Sequence, residues 1–251
     1  MSNKVDLQGQ TIVFTGQPKS NEALLEVERL GGEVKIFPLN QTQEVTSQDE
    51  FFMTRLHSYE WLIFTSQNAV SSFSRKIESF HLDIKDINMK IAAVGIKTAN
   101  AIEALGLHVS FMPTIYSADA FVEQFPKGMN SQETCLFVRG SLAKATIKEG
   151  LGQHVDEWTV YETLPDLINS RRLSTYISQH PNIFIAFASP SAVEIYARDV
   201  APIVGWNHSK IAAIGHVTAA SLKNHGIPVH VLPATYTWLA LIQEIANWKE
   251  E

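Results

Sequence analysis

The chain has 251 residues, enough for one large domain or two of ordinary size, each able to bury a core without disulfide or metal staples. A hydrophobic share of 45% with 18% charged residues is that of a globular fold, and a net charge of −6 without a run of five basic residues argues against a nucleic-acid or anionic-membrane surface. The single cysteine, Cys135, rules out an intramolecular disulfide framework, and its place in the apolar run CLFV reads as a buried, inert thiol.

The opening MSNKVDLQGQ lacks the apolar stretch of a signal peptide, and no later run approaches the length needed to span a bilayer, so a cytoplasmic location without membrane contact is expected. Strands are expected at Thr11–Thr15, Glu33–Pro38, Trp61–Thr65, Ile91–Val94 and His108–Met112. In the second half they are expected at Thr134–Val138, Val155–Tyr161, Ile183–Phe187, Ile211–Ile214 and Val229–Leu232. Between them lie apolar residues at helical spacing, as in Ala23, Leu24, Val27 and Leu30, closed by Gly31 and Gly32. This β-α-β-α order predicts parallel sheets with right-handed crossovers, covered by helices on both faces, of the flavodoxin-like doubly wound class.

The segment Ile91 to Phe125 recurs as Ile211 to Ile245, 120 residues later and without a gap, with eleven identities in 35 positions. Unrelated sequence would give roughly two. IAAVGIKTA returns as IAAIGHVTA, and FTSQNAV (Phe64 to Val70) returns as FASPSAV (Phe187 to Val193). The chain is therefore two copies of one unit, and a site formed jointly by two similar domains is the first expectation. The polar segments Leu39–Gln48 and Thr163–Ser170 are candidate crossings between domains. If both cross, one domain is continuous between them and the other is assembled from the two chain ends; a simple cut near residue 127 is the alternative.

The repeated motifs carry the chemistry. In FTSQNAV the strand ends at Thr65 and Ser66 falls at a helix N-cap; in FASPSAV Ser189 takes that place, with Pro190 at the first helical position. Thr98 and Thr218 lie near the helix starts that follow the glycine turns, and Ser117 and Thr237 begin further helices. All these turns leave the carboxyl ends of parallel strands, the edge where doubly wound sheets bind ligands. Open amides and the positive ends of helix dipoles there suit carboxylate or phosphate, at about 0.3–1 kcal/mol per exposed site. Small neutral hydroxyls cap the helices while leaving amides open to an anion.

FTSQNAV, IAAVGIKTA, FVRGSLAK, VYET, FASPSAV and IAAIGHVTA, in that order, resemble the uroporphyrinogen-III synthase family over nearly the whole chain. The resemblance implies two flavodoxin-like domains joined by a two-stranded connector, one from Met1–Pro38 plus Leu164–Glu251 and the other from Thr42–Trp158. It implies cyclisation of the linear tetrapyrrole hydroxymethylbilane to uroporphyrinogen III in an interdomain cleft, with inversion of the last pyrrole ring, loss of water, and neither metal nor cofactor. Such a polycarboxylate suits a cleft of helix N-termini in an acidic protein. Orienting its reactive ends is the main catalytic task.

By the same resemblance, Tyr161 of VYET is the expected catalytic residue, its phenol assisting departure of the substrate hydroxyl. Arg139, Gly140 and Lys144 match family positions at the end of a strand, and Arg139 is expected either to take a carboxylate bidentately or to pair with a structural acid. Ser66, Asn68, Thr98, Ser189, Ser191 and Thr218 complete the binding candidates. Trp158 and Trp238 are the tryptophans expected within reach of a pyrrole. Where the family has Thr-Arg-Pro after the first strand, this chain has Thr15, Gly16 and Gln17, so a basic contact is missing unless Lys19 supplies it. A monomer is expected, with the hydroxymethylbilane-forming enzyme as a possible partner.

Other chemistry finds no support: the nine histidines show no metal-ligand spacing, and there is no G-x-G-x-x-G after a strand and no G-x-x-x-x-G-K-[ST]. Two other functions remain open, a cytoplasmic binding protein for a small anionic solute and a catalytically silent homologue with an interaction role.

Overall fold

A computed structural model describes residues 6–18, 20–125, 133–207 and 209–249. Lys19 lies outside the described residues. Ten strands form among them: β1 (Thr11–Phe14), β2 (Glu33–Ile36), β3 (Asn40–Glu44), β4 (Trp61–Phe64), β5 (Lys90–Ala93), β6 (Val109–Phe111), β7 (Cys135–Gly140), β8 (Val155–Pro165), β9 (Ile183–Phe187) and β10 (Ser209–Ala213). Helices connect most of them, giving a mixed α/β fold with parallel sheets. Among the described residues no helix is long and apolar enough to cross a membrane.

The chain divides into two compact units, Met1–Gln41 with Leu164–Glu251, and Thr42–Thr163. The sheet of the first unit has the order β10-β9-β1-β2, parallel throughout. That of the second has the order β3-β8-β7-β4-β5-β6, and from β8 to β6 every neighbouring pair is parallel. The boundaries of the two sequence copies and of the two compact units therefore differ. β1, from the first copy, pairs with β9, from the second, placing Ile12 opposite Phe184 and Phe14 opposite Ala186.

Alternation along the strands feeds a core on each face of each sheet. In the first unit Val13, Ile183, Ile185 and Phe187 pack with Leu173, Ile177 and Val193 on one side. Ile12, Phe14, Phe184 and Ala186 pack with Val27, Leu241 and Ile242 on the other. In the second unit Leu62, Phe64, Leu136 and Val138 meet Phe73 and Ile102, while Trp61, Ile63, Cys135 and Phe137 meet Phe121 and Ile147. Strands buried on both faces read as continuous apolar runs, which is why WLIF and IFIAF stand out in the sequence.

Two strand expectations need correction. Val229–Leu232 contributes only a single parallel bridge, Val231 to Ala212. Pro228 and Pro233 bring no N–H to a ladder, and the Ile211 N–H donates to His230 Nδ1, a side chain standing where a strand carbonyl would. Conversely, the polar stretch from Asn40 forms β3, next to β8 at the edge of the second sheet, with Val45 N–H donating to Val160 O at 3.1 Å. An edge strand faces water and needs no apolar run.

A buried polar network holds the helix Asp49–Arg55 to the helix Gln67–Ser79. Lys76, 3% exposed, donates to Asp49 Oδ2 at 2.7 Å and to Val45 O at 2.7 Å, and Trp158 Nε1 donates to Asp49 Oδ1 at 3.2 Å. Trp158 is fully buried against Phe52 and Phe73, so the expectation that it reaches a pyrrole is wrong. Its indole is large and its one donor is satisfied inside, which suits a core position. Cys135 is also fully buried, and burial pushes its thiol up to about 12.

Candidate functional site

Because the paired strands are parallel, the turns that follow them lie along the carboxyl edge of each sheet. In the second unit β4 leads into Ser66, the N-cap of the helix Gln67–Ser79, whose Oγ accepts from Ala69 N at 3.2 Å. β5 leads into Gly95, which precedes the helix Ile96–Glu103, and Ser117 caps the helix Ala118–Gln124 through Ala120 N at 3.1 Å. In the first unit Ser189 caps the helix Pro190–Ile195 through Ala192 N at 3.2 Å, Gly215 precedes the helix His216–Asn224, and Thr237 caps the helix Trp238–Asn247 through Ala240 N at 3.1 Å. Side-chain caps of this kind are each worth about 1 kcal/mol to the helix. Each satisfies one orphan amide of its helix.

Tyr161 stands at the second unit's carboxyl edge. It lies on β8 beside the end of β7, and its hydroxyl is 3.2 Å from Ser66 Oγ. Gly140, opposite it in the ladder, has no side chain to block the ring: a methyl there would lie 2.6 Å from Tyr161 Oη and 2.8 Å from Cε1. Gly140 is therefore the seat of the Tyr161 ring. The expectation that it contacts substrate gives way to a steric role, because it is buried beneath the tyrosine.

Arg139 is likewise spent within its unit. Its guanidinium pairs with Glu157 on the neighbouring strand, donates to Ala143 O, and reaches Gly140 O from Nε at 3.3 Å. Of the two expected roles the structure selects the structural acid, and Arg139 braces the β7–β8 end. Lys144 follows β7 in an exposed turn. Asn68 is exposed in the first turn of the helix behind Ser66.

Thr98 and Thr218 occupy equivalent positions in the two glycine-turn helices, and both are buried, at 6% and 3% exposure. The Thr98 N–H already donates to Gly95 O at 2.9 Å. Both residues are thus largely enclosed at helix starts. Over the two turns lie the repeated tyrosines: Tyr116 is 55% exposed beside Gly95, and Tyr236 is 45% exposed beside Gly215 and His216.

In the first unit Ser189 and Ser191 are half-buried, with their Oγ atoms 3.0 Å apart. Asn40 Nδ2 donates to Ser191 Oγ at 2.8 Å and approaches Ser189 Oγ at 3.4 Å. Sequence reasoning missed Asn40. It is one polar residue in LNQTQEVTSQ, and nothing local marks it as the partner of a serine about 150 positions away. Thr15 is buried, with its hydroxyl on Ala186 O at 2.9 Å, and Gly16 beside it faces Ala188 and the half-buried Trp238. Trp238 packs on Phe14 at 4.9 Å between ring centroids, so this tryptophan does stand at a carboxyl edge.

Among the described residues no three of His, Cys, Asp and Glu come together to hold a metal ion. The edge groups include hydroxyls, amides and the phenols of Tyr161, Tyr116 and Tyr236, which can donate hydrogen bonds to carboxylates and orient a ligand without a strong acid or base.

Residues 21–243 match the model of the family described as Uroporphyrinogen-III synthase HemD. The uroporphyrinogen-III synthase of Chlorobaculum parvum is 27% identical over 246 residues, spanning 95% of this chain and 98% of that protein. That of Synechococcus elongatus is 28% identical over 204 residues, 77% of this chain and 76% of the relative. Among solved structures, a mutant uroporphyrinogen III synthase from Thermus thermophilus is similar with a TM-score of 0.69 at 16% identity, covering 95% of this chain and 98% of that one. The enzyme from Helicobacter pylori is similar with a TM-score of 0.64 at 18% identity, over 95% and 98%.

Proposed function

Since the chain belongs to the uroporphyrinogen-III synthase family, we infer that it closes hydroxymethylbilane into uroporphyrinogen III, inverting the terminal pyrrole ring and releasing water. The family match over residues 21–243 carries this reading. In the proposed mechanism each unit's carboxyl edge holds its own share of the substrate carboxylates. Ser66 and Asn68 serve in the second unit, with Lys144 as a flanking cation; Ser189 and Ser191 serve in the first. Thr98 and Thr218 act through the starts of the helices they help build.

The chemical burden is small once the substrate is folded. Unguided closure joins the ends directly, so the enzyme must present the terminal ring at its substituted carbon, and holding that geometry supplies both rate and selectivity. Tyr161 is proposed to donate its phenolic proton toward the departing hydroxyl, with Ser66 fixing the direction of the phenol. The 3.2 Å contact between their oxygens supports this assignment.

Each unit is proposed to be a flavodoxin-like domain. The order β2-β1-β9-β10, with the Val231 bridge beyond β10, supports it in the first unit, and β8-β7-β4-β5-β6 repeats that arrangement in the second. The two passages of the chain, through β3 and β8, are proposed to form the two-stranded connector, and their pairing in one sheet supports this. A cytoplasmic monomer that receives its substrate from the hydroxymethylbilane-forming enzyme completes the proposal. The test is incubation with hydroxymethylbilane and analysis of the product isomers: type III product is expected, and type I product alone would refute the activity.

A further inference from the structure

We propose that Asn40 is a positioning residue that makes the Ser191 hydroxyl an obligate hydrogen-bond donor, tuned to receive a substrate carboxylate. This rests on the reading of Ser189 and Ser191 as binding groups.

The argument is a count of protons and lone pairs. A serine oxygen has two lone pairs and one hydrogen, and left to itself it donates or accepts as the ligand requires. Ser189 Oγ already accepts from Ala192 N at 3.2 Å and has the Asn40 amide 3.4 Å away. Its remaining option is to donate, and Ser191 Oγ lies 3.0 Å from it. Ser191 Oγ then accepts from Ser189 and, at 2.8 Å, from Asn40 Nδ2. Both of its lone pairs are filled, and its hydrogen alone is left for a ligand. The opposite direction would give Ser189 three donors for two lone pairs.

A hydroxyl in this state favours an acceptor-only group such as a carboxylate and disfavours a donor such as a pyrrole N–H. Asn40 thus contributes selectivity without touching the substrate. It is also the first unit's counterpart of Tyr161: each engages the N-cap serine of a repeated motif, Ser189 or Ser66, from a strand through which the chain passes from one unit to the other. One partner carries a labile proton and the other an amide that cannot act as an acid, so the two similar halves are chemically unequal.

The test uses Asn40→Ala, Asn40→Asp, Ser191→Ala and the double variant Asn40→Ala/Ser191→Ala, with initial rates on hydroxymethylbilane and thermal melts. Asn40→Ala should raise KM about tenfold, the scale of one hydrogen bond, with kcat within about twofold. Asn40→Asp should raise it further, because a carboxylate accepts from Ser191 and repels the substrate. In the Ser191→Ala background the Asn40→Ala penalty should vanish. Unchanged KM in a folded Asn40→Asp protein, or a penalty that persists without Ser191, would overturn the inference. Wild-type KM in Ser191→Ala would instead sink the underlying reading of the serine pair.

Discussion

Replacing Gly140 by alanine isolates the geometry of Tyr161 from its chemistry. Gly140 is not among the glycines with positive φ, so alanine meets no backbone strain, and the added methyl is the whole perturbation. That methyl would lie 2.6 Å from Tyr161 Oη and 2.8 Å from Cε1, whereas ordinary contact begins at 3.4 Å. The ring must retreat by about 1 Å, which opens its 3.2 Å contact with Ser66, and a misplacement of that size costs on the order of 10²-fold in rate. Overpacking of this kind also costs about 1–3 kcal/mol of stability. Tyr161→Phe keeps the ring and removes only the hydroxyl, so turnover should fall by roughly 10²-fold with an unchanged melt. The two effects should not add: in the Tyr161→Phe background Gly140→Ala should change kcat by less than about threefold, since the group it displaces is already absent. Steady-state production of uroporphyrinogen III by the four proteins decides the matter. Full activity in Gly140→Ala, or multiplicative losses in the double variant, would refute the reasoning.

Lys76→Met should destabilise the second unit by about 3–5 kcal/mol, because Asp49 is left buried without its cation; a melt lowered by roughly 10 °C is the expected reading. Adding Asp49→Asn, which keeps an acceptor for Trp158, should restore part of that loss. Gly150→Ala should cost stability although it removes a glycine from a helix, since the methyl would lie 2.6 Å from Val122 Cγ2 and overpacking of about 1–3 kcal/mol exceeds the helix gain of about 1 kcal/mol. Activity per folded molecule should not change, which separates this glycine from Gly140. The Cys135 thiol, raised to about 12 by burial, should react with a thiol reagent at neutral pH only as fast as the protein unfolds; rapid labelling of the native chain would show that it is not buried.

Much of the local structure was legible in the sequence because its causes are local. WLIF and IFIAF form strands because both faces are covered, and Ser66, Ser117, Ser189 and Thr237 cap helices through the amide three residues on. The repeated turns at the carboxyl edges were legible as well. Nothing local marked Asn40, whose serine partners lie about 150 residues away, or settled Arg139, whose role depended on whether Glu157 on the neighbouring strand came within reach. Trp158 shows the same limit: a tryptophan near an expected edge is core or contact according to what packs on it, and here Phe52 and Phe73 do.

The amino-acid sequence alone determined the duplication, the alternation of strand and helix, and the placing of small hydroxyls where parallel strands end. Hydrophobic runs, capping residues and glycine turns act within a few positions of themselves. Only the tertiary structure decided which strands share a sheet, pairing β1 with β9 across some 170 residues, and which polar groups are consumed by their neighbours. Two similar copies offer similar apolar edges, so the choice of partner rests on non-local packing and on the two passages through β3 and β8.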